Sequence, residues 1–229
     1  MTYLSRIRLN PTRRGTQKLL ASPQAMHAAV MGSHPRFLDD RVSGRVLWRI
    51  DQPAKHDIQV YVVSPVTPDF TGLLEQAGWP TQPDWDSTEY QPFLDMLDTG
   101  QVWRFRVTAN PVRVLARTPG DTRRRGRISP HVTADQQRDW LIKSGPTWGF
   151  NVPSHDSFGV QAEVRDRHTV RFGRGSAEAS RSTVSLSRAS FTGLLTIEDP
   201  DALRSALVEG MGRAKAYGCG LMTLAPPRP

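Results

Sequence analysis

Between Tyr3 and Ala109 the chain passes through strand-like and helix-like stretches in the order strand, helix, strand, strand, helix, strand. Few compact folds accept that order, and the ferredoxin-like unit is the one built on it. Residues 3–9 alternate as Tyr-Leu-Ser-Arg-Ile-Arg-Leu, the two-residue period of a half-buried strand, and Asn10-Pro11 closes the run. Ser22-Pro23 is a helix opening, with serine as N-cap and proline at the first helical position, and Gly32 stops the helix after Met31. Arg45–Ile50 and Ile58–Ser64 read as two strands joined by a loop over residues 51–57. A helix is predicted over Phe70–Ala77. Residues 78–92 carry three prolines and read as irregular, and Gln101–Ala109 is the fourth strand of the unit.

A second, looser copy of the pattern follows residues 117–127, a breaker-rich basic run holding Arg123, Arg124 and Arg125. It comprises a helix over Ala134–Ser144 with Thr133 as cap, a strand near Phe158–Arg165, a Gly/Ser/Arg loop over 173–182, a strand over Phe191–Ile197, a helix over Pro200–Glu209 and a last strand over Leu221–Leu224. The expected fold is therefore α+β, two tandem ferredoxin-like domains over residues 1–116 and 117–229.

Charge narrows the function. The net charge is +8, and arginine supplies all but four of the thirty cations. A planar guanidinium binds phosphate through two parallel hydrogen bonds and stacks on bases, so the balance favours a polyanionic partner. No stretch approaches the roughly 18 apolar residues of a membrane span, and the charged first strand is no signal peptide; a cytoplasmic protein without a membrane partner is expected. The single cysteine, Cys219, allows neither an internal disulfide nor a cysteine metal cluster. The six histidines lack metal-ligand spacing, so no metal and no cofactor are expected.

Two places have a setting suited to chemistry. His27 lies in the first turns of a short helix of small and apolar residues, with Arg13, Arg14 and Lys18 upstream. A histidine there transfers protons beside a bound phosphate, or is a half-buried side chain without a role. The segment 210–221 holds Gly210, Gly212, Gly218 and Gly220 with Arg213 and Lys215. Such a loop lets backbone amides approach a phosphate, or merely turns a helix end into the last strand. Arg171 and Arg174 flank Phe172-Gly173 and, with Arg181 and the arginines at 123–125, suit an RNA backbone; solvated loops are the other reading.

Taken together, these regions resemble the CasE family of CRISPR repeat endoribonucleases from type I-E systems. Tyr3–Pro11 resembles its first strand, Met26-His27 stands where it carries a catalytic histidine, and Ala109-Asn110-Pro111 matches a recurring strand end. Phe191–Ile197 with Gly210–Pro226 matches its closing block. The resemblance implies a repeat hairpin bound on a basic face and metal-free cleavage at the 3′ base of the stem by the RNA's own 2′-hydroxyl. It implies His27 as general acid or base, Lys18 as a charge-stabilising candidate, and the other subunits of the Cascade complex as partners that share the crRNA product. Some members carry a tyrosine three residues before the histidine; here Gln24 occupies that position, and glutamine donates hydrogen bonds but is neither acid nor base at neutral pH. A non-catalytic RNA-binding subunit of the same fold, or an enzyme acting on a phosphorylated small molecule, are the competing expectations.

Overall fold

The computed structural model describes residues 1–34, 44–81, 84–115, 127–153, 162–174 and 182–227. The first sheet holds β1 (Tyr3–Leu9), β2 (Leu47–Ala54), β3 (Asp57–Ser64) and β4 (Trp85–Glu89) in the order β2-β3-β1-β4, every pair antiparallel. Helices α1 (Arg14–Ala21), α2 (Pro23–Gly32) and α3 (Thr71–Ala77) fall between these strands in the chain. This is a ferredoxin-like unit, but its fourth strand is β4 and not 101–109.

That strand, β5 (Val102–Ala109), instead pairs with β10 (Ser182–Ile197) and β11 (Met222–Ala225) in a second sheet. The long strand β9 (Ala162–Arg174) and the short β8 (Phe150–Asn151) both pair with β10. With α5 (Ala134–Ser144) and α6 (Pro200–Glu209), β5, β9, β10 and β11 repeat the βαββαβ order in the arrangement β11-β5-β10-β9. The fold class is α+β, with tandem ferredoxin-like units as expected, but the sheets divide the chain before β5 and not at 116/117. Helix α4 (Gln91–Asp95) precedes that division, and β6 (Val112–Val114) pairs with β7 (Ile128–Pro130) in a separate two-stranded sheet.

The misplaced division has a local cause. β4 has no apolar alternation, with all of its residues but Trp85 exposed, so nothing in it reads as a strand. Its ladder with β1 makes it one: Ser87 Oγ lies 2.9 Å from Ser5 Oγ, and Arg6 reaches Asp86 at 2.6 Å. Helix α1 was equally hidden. Its first turn has no acidic residue and no side-chain cap, both unfavourable at a helix N-terminus. Tertiary contact supplies what the segment lacks. Thr16 Oγ1 donates to the Ala77 carbonyl at 2.9 Å, and Gly15 sits so close that a Cβ there would lie 2.1 Å from the Gln76 carbonyl oxygen.

Where capping residues exist, the helices follow them. Ser22 Oγ accepts from the Ala25 amide, Thr133 and Gln136 close a capping box on α5, and Asp199 accepts from the amides of Asp201 and Ala202 at α6.

One core lies between the first sheet and α1–α3, with Ile7, Met26, Val30, Trp48, Val60 and Phe70 fully buried. The other lies under α5 and α6, and it extends to Leu47 and Val63 on the opposite face of the first sheet. Neighbouring residues of β2 therefore serve different cores: Trp48 faces the first, Leu47 the second. Arg49, 1 % exposed, crosses between the units. Its guanidinium holds Asp51 through two nitrogens at 2.8 Å, donates to the carbonyls of Arg106 and Leu221 at 2.7 and 2.9 Å, and reaches Thr223 Oγ1 at 2.8 Å. A buried cation with so many acceptors ties β2 to both β5 and β11.

Candidate active site

Helix α2 presents Pro23, Met26 and Val30 to the core, which turns Gln24 outward and leaves His27 half-buried at the helix flank. Gln24 and His27 are three residues apart and share one side of the helix. The Nδ1 of His27 is enclosed without a hydrogen-bond partner. Burial lowers its pKa below the ordinary 6.5 of a histidine, so the imidazole is neutral at pH 7 and ready to accept a proton.

The segment that packs on α2 comes from the other end of the chain. A 3-10 turn, Lys215–Tyr217, lies against both α2 and β2. Its entry residue, Ala214, holds φ +64°, a left-handed conformation that a side chain adopts at a cost of about 1–2 kcal/mol. The structure thus joins the histidine helix and the glycine-rich segment, which the sequence separates by nearly two hundred residues.

The glycines themselves divide. Gly210, Gly218 and Gly220 are buried, and only Gly212 is exposed. Gly218, at φ +76°, lies on the indole of Trp48, where a Cβ would come within 2.5 Å of the ring. The Gly210 amide donates to Ala206 and the Gly220 amide to Thr108. These two amides are not available to a phosphate, because they end α6 and lead into β11.

Lys215 is the first residue of the 3-10 turn. Its Nζ donates to the Glu209 carbonyl at 2.7 Å. Burial and then the neighbouring Arg45 lower its pKa, with Glu209 opposing. Arg45 lies just before β2, a strand end that gave no sign of function in the sequence.

The outer part of the β9–β10 hairpin reaches the same turn, where the Phe172 ring meets Tyr217 edge-on at 4.7 Å between centroids. A register shift between Arg188 and Ser190, facing Asp166 at φ +49°, bends the hairpin below this contact. Arg171 is exposed on that part of β9, and Arg174 ends the strand. Phe172 and Tyr217 thus link hairpin to turn, a pairing that neither segment announces alone.

The remaining sequence candidates scatter. Arg14 and Lys18 are exposed on α1. Arg13 is engaged in the fold: one of its terminal nitrogens donates to the carbonyls of Leu74 and Gly78 at the end of α3. Arg123, Arg124, Arg125 and Arg181 lie outside the described residues. Cys219 is buried, and burial pushes its thiol up to about 11, so it is no nucleophile at neutral pH. Among the described residues, no three His, Cys, Asp or Glu side chains gather as metal ligands, and no helix is long and apolar enough to cross a membrane.

The family model described as CRISPR associated protein matches residues 2–226. The CRISPR-associated endoribonuclease Cse3 of Thermus thermophilus is 27% identical over 225 residues, covering 98% of this chain and all of the relative. The CRISPR system Cascade subunit CasE of Escherichia coli K12 is 28% identical over 138 residues, 57% of this chain and 61% of the relative. Among solved structures, the endoribonuclease Cse3 bound to a 19-nucleotide RNA superposes with a TM-score of 0.79 at 26% identity, covering 98% of this chain and 100% of that one.

Proposed function

This chain belongs to the CRISPR-associated protein family, and from that we propose that it is the endoribonuclease that binds the CRISPR repeat hairpin and cuts precursor crRNA at the 3′ base of the stem. The observation that carries the reading is the packing of the His27 helix against the Lys215–Tyr217 turn, within a chain whose full-length relative is a CRISPR-associated endoribonuclease.

The chemistry follows from the groups at that junction and needs no metal. The neutral imidazole of His27 takes the proton of the ribose 2′-hydroxyl. The 2′-oxygen then forms a bond to the adjacent phosphorus, and the bond to the 5′-oxygen breaks. Returned to that oxygen, a proton completes a 5′-hydroxyl product opposite a 2′,3′-cyclic phosphate. Proton transfer of this kind contributes about 10²–10⁴-fold in rate. Charge that accumulates on the phosphoryl oxygens is offset by cations held beside it. Lys215 sits in the turn that packs on α2, and Lys18 lies at the end of α1. Gln24, on the same side of α2 as His27, donates a hydrogen bond to a phosphate oxygen but moves no proton.

RNA approaches over Arg14, the hairpin residues Arg171 and Arg174, the glycine-rich segment, and the arginines at 123–125 and 181. The protein keeps the crRNA and works in the cytoplasm with the other Cascade subunits; a Cascade subunit of Escherichia coli is among its relatives.

The test is cleavage of labelled repeat hairpin in EDTA by wild type and His27→Ala, with a parallel substrate carrying a 2′-deoxy at the cleavage position. A single cut that survives EDTA and disappears in both controls is expected. Binding without a cut by wild type would instead assign a non-catalytic RNA-binding subunit.

A further inference from the structure

A pocket of about 280 Å³ opens between β6 and α5, away from His27, and brings together two permanent cations and a histidine from three elements. Arg113 comes from β6, His131 from the segment joining β7 to α5, and Lys143 from the last turn of α5. Among the described residues, Asp139 is the one carboxylate in the lining. Like charges turned toward one cavity repel each other unless an anion occupies it. The field is felt at His131, whose pKa burial lowers first and Arg113 and Lys143 lower further, against the opposing Asp139.

The position of this pocket relative to the glycine-rich segment gives it a purpose. Trp140 forms part of its wall, and the same indole lies against Gly212, where a Cβ would sit 3.4 Å from the ring. Gly212 begins the stretch that ends at Tyr217, beside α2. Five residue steps at about 3.5 Å each bound the separation of the two ends at about 18 Å. The exposed start of the segment thus points to the pocket and its 3-10 turn to the cleavage site, so a duplex laid over it touches both.

We propose that Arg113, Lys143 and His131 grip a backbone phosphate of the RNA stem, a second anchor that fixes the stem's direction as its base enters the site. The inference rests on the RNA-cleaving reading above. It assigns the pocket a phosphodiester and not a base, because permanent cations recognise charge without sequence.

The test is hairpin binding by fluorescence anisotropy between about 50 and 200 mM salt. Wild type, Arg113→Ala/Lys143→Ala and Lys143→Glu are compared, with unfolding midpoints measured alongside. Both variants alter exposed side chains and keep the wild-type midpoint. The double variant is expected to bind about 10–100-fold more weakly, and its log–log salt slope to be shallower by about one. Its half-saturating concentration in single-turnover cleavage rises by the same factor. Wild-type affinity and slope in both variants would overturn the anchor while leaving the cleavage reading intact. Failure of wild type to bind the hairpin at all would overturn both. If millimolar inorganic phosphate raises the midpoint of wild type but not of the double variant, and hairpin affinity is equal in the two, the pocket is a free-anion site and the RNA assignment fails.

Discussion

Arg49→Ala is expected to be the most damaging single substitution outside the cleavage site, and its cost follows from the contacts. The guanidinium is 1 % exposed and is shared among Asp51, the carbonyls of Arg106 and Leu221, and the Thr223 hydroxyl, with the Tyr61 ring 5.2 Å away. Alanine leaves the Asp51 carboxylate buried, with Arg106 at 3.2 Å as its remaining cation among the described residues. Breaking a buried ion pair from one side costs about 3–5 kcal/mol, and an orphaned buried carbonyl about 1–3 kcal/mol, values that overlap when the acceptors share one donor. A loss of about 5 kcal/mol is therefore expected, which for a chain of this length lowers Tm by about 10–20 °C. Guanidinium unfolding followed by tryptophan fluorescence and circular dichroism measures it. Because Arg49 joins β2 of one unit to β5 and β11 of the other, the two probes should separate in the variant where they coincide in wild type. The companion Arg49→Met/Asp51→Leu removes both charges and should recover more than half of the loss. A cost under about 1 kcal/mol for Arg49→Ala, or a double variant worse than the single, would refute the idea that this cation is the strut between the units.

The single-turnover cleavage rate should rise with pH through a midpoint below 6.5 and then level, since His27 must be neutral to accept a proton and burial lowers its pKa; a rate independent of pH over that range would exclude His27 as the base. His34 is fully buried, donates from Nδ1 to the Val30 carbonyl at 2.7 Å, and has its pKa lowered chiefly by burial. A lowered folded pKa means the unfolded chain binds the proton first, so stability is full above about pH 6.5 and declines as pH falls toward the folded value; His34→Gln should flatten that decline in thermal melts. Gly218→Ala places a Cβ at φ +76° against the Trp48 ring, and a loss of about 2–4 kcal/mol is expected together with a lower cleavage rate, because the displaced turn packs on α2. Thr133→Ala removes one half of the α5 capping box and should cost about 1 kcal/mol in urea unfolding, and most of that cost should persist in a Gln136→Ala background, because the Thr133 hydroxyl accepts from the backbone amide of residue 136.

Much of the chain could be read from the order of its residues because the determining forces are local. β1 alternates over its seven residues, and α2, α5 and α6 begin at the capping residues that satisfy their first amides. The βαββαβ rhythm, the arginine-weighted charge and the setting of His27 follow from the same short-range information. What the sequence alone left unread has partners far away. α1 has a poor N-terminus and forms where Gly15 and Thr16 meet the end of α3; β4 is a polar segment that becomes a strand only through its ladder with β1. For the same reason β5 went to the wrong unit, since a strand's sheet is decided by its hydrogen-bonded neighbours and not by its own pattern. The site repeats the lesson. Histidine and glycine-rich segment were each legible, but their meeting depends on Trp48 receiving Gly218 and on Arg49 holding the Leu221 carbonyl. Such contacts exist only once both units have closed on each other, because no local pattern encodes which distant surface a buried side chain will meet.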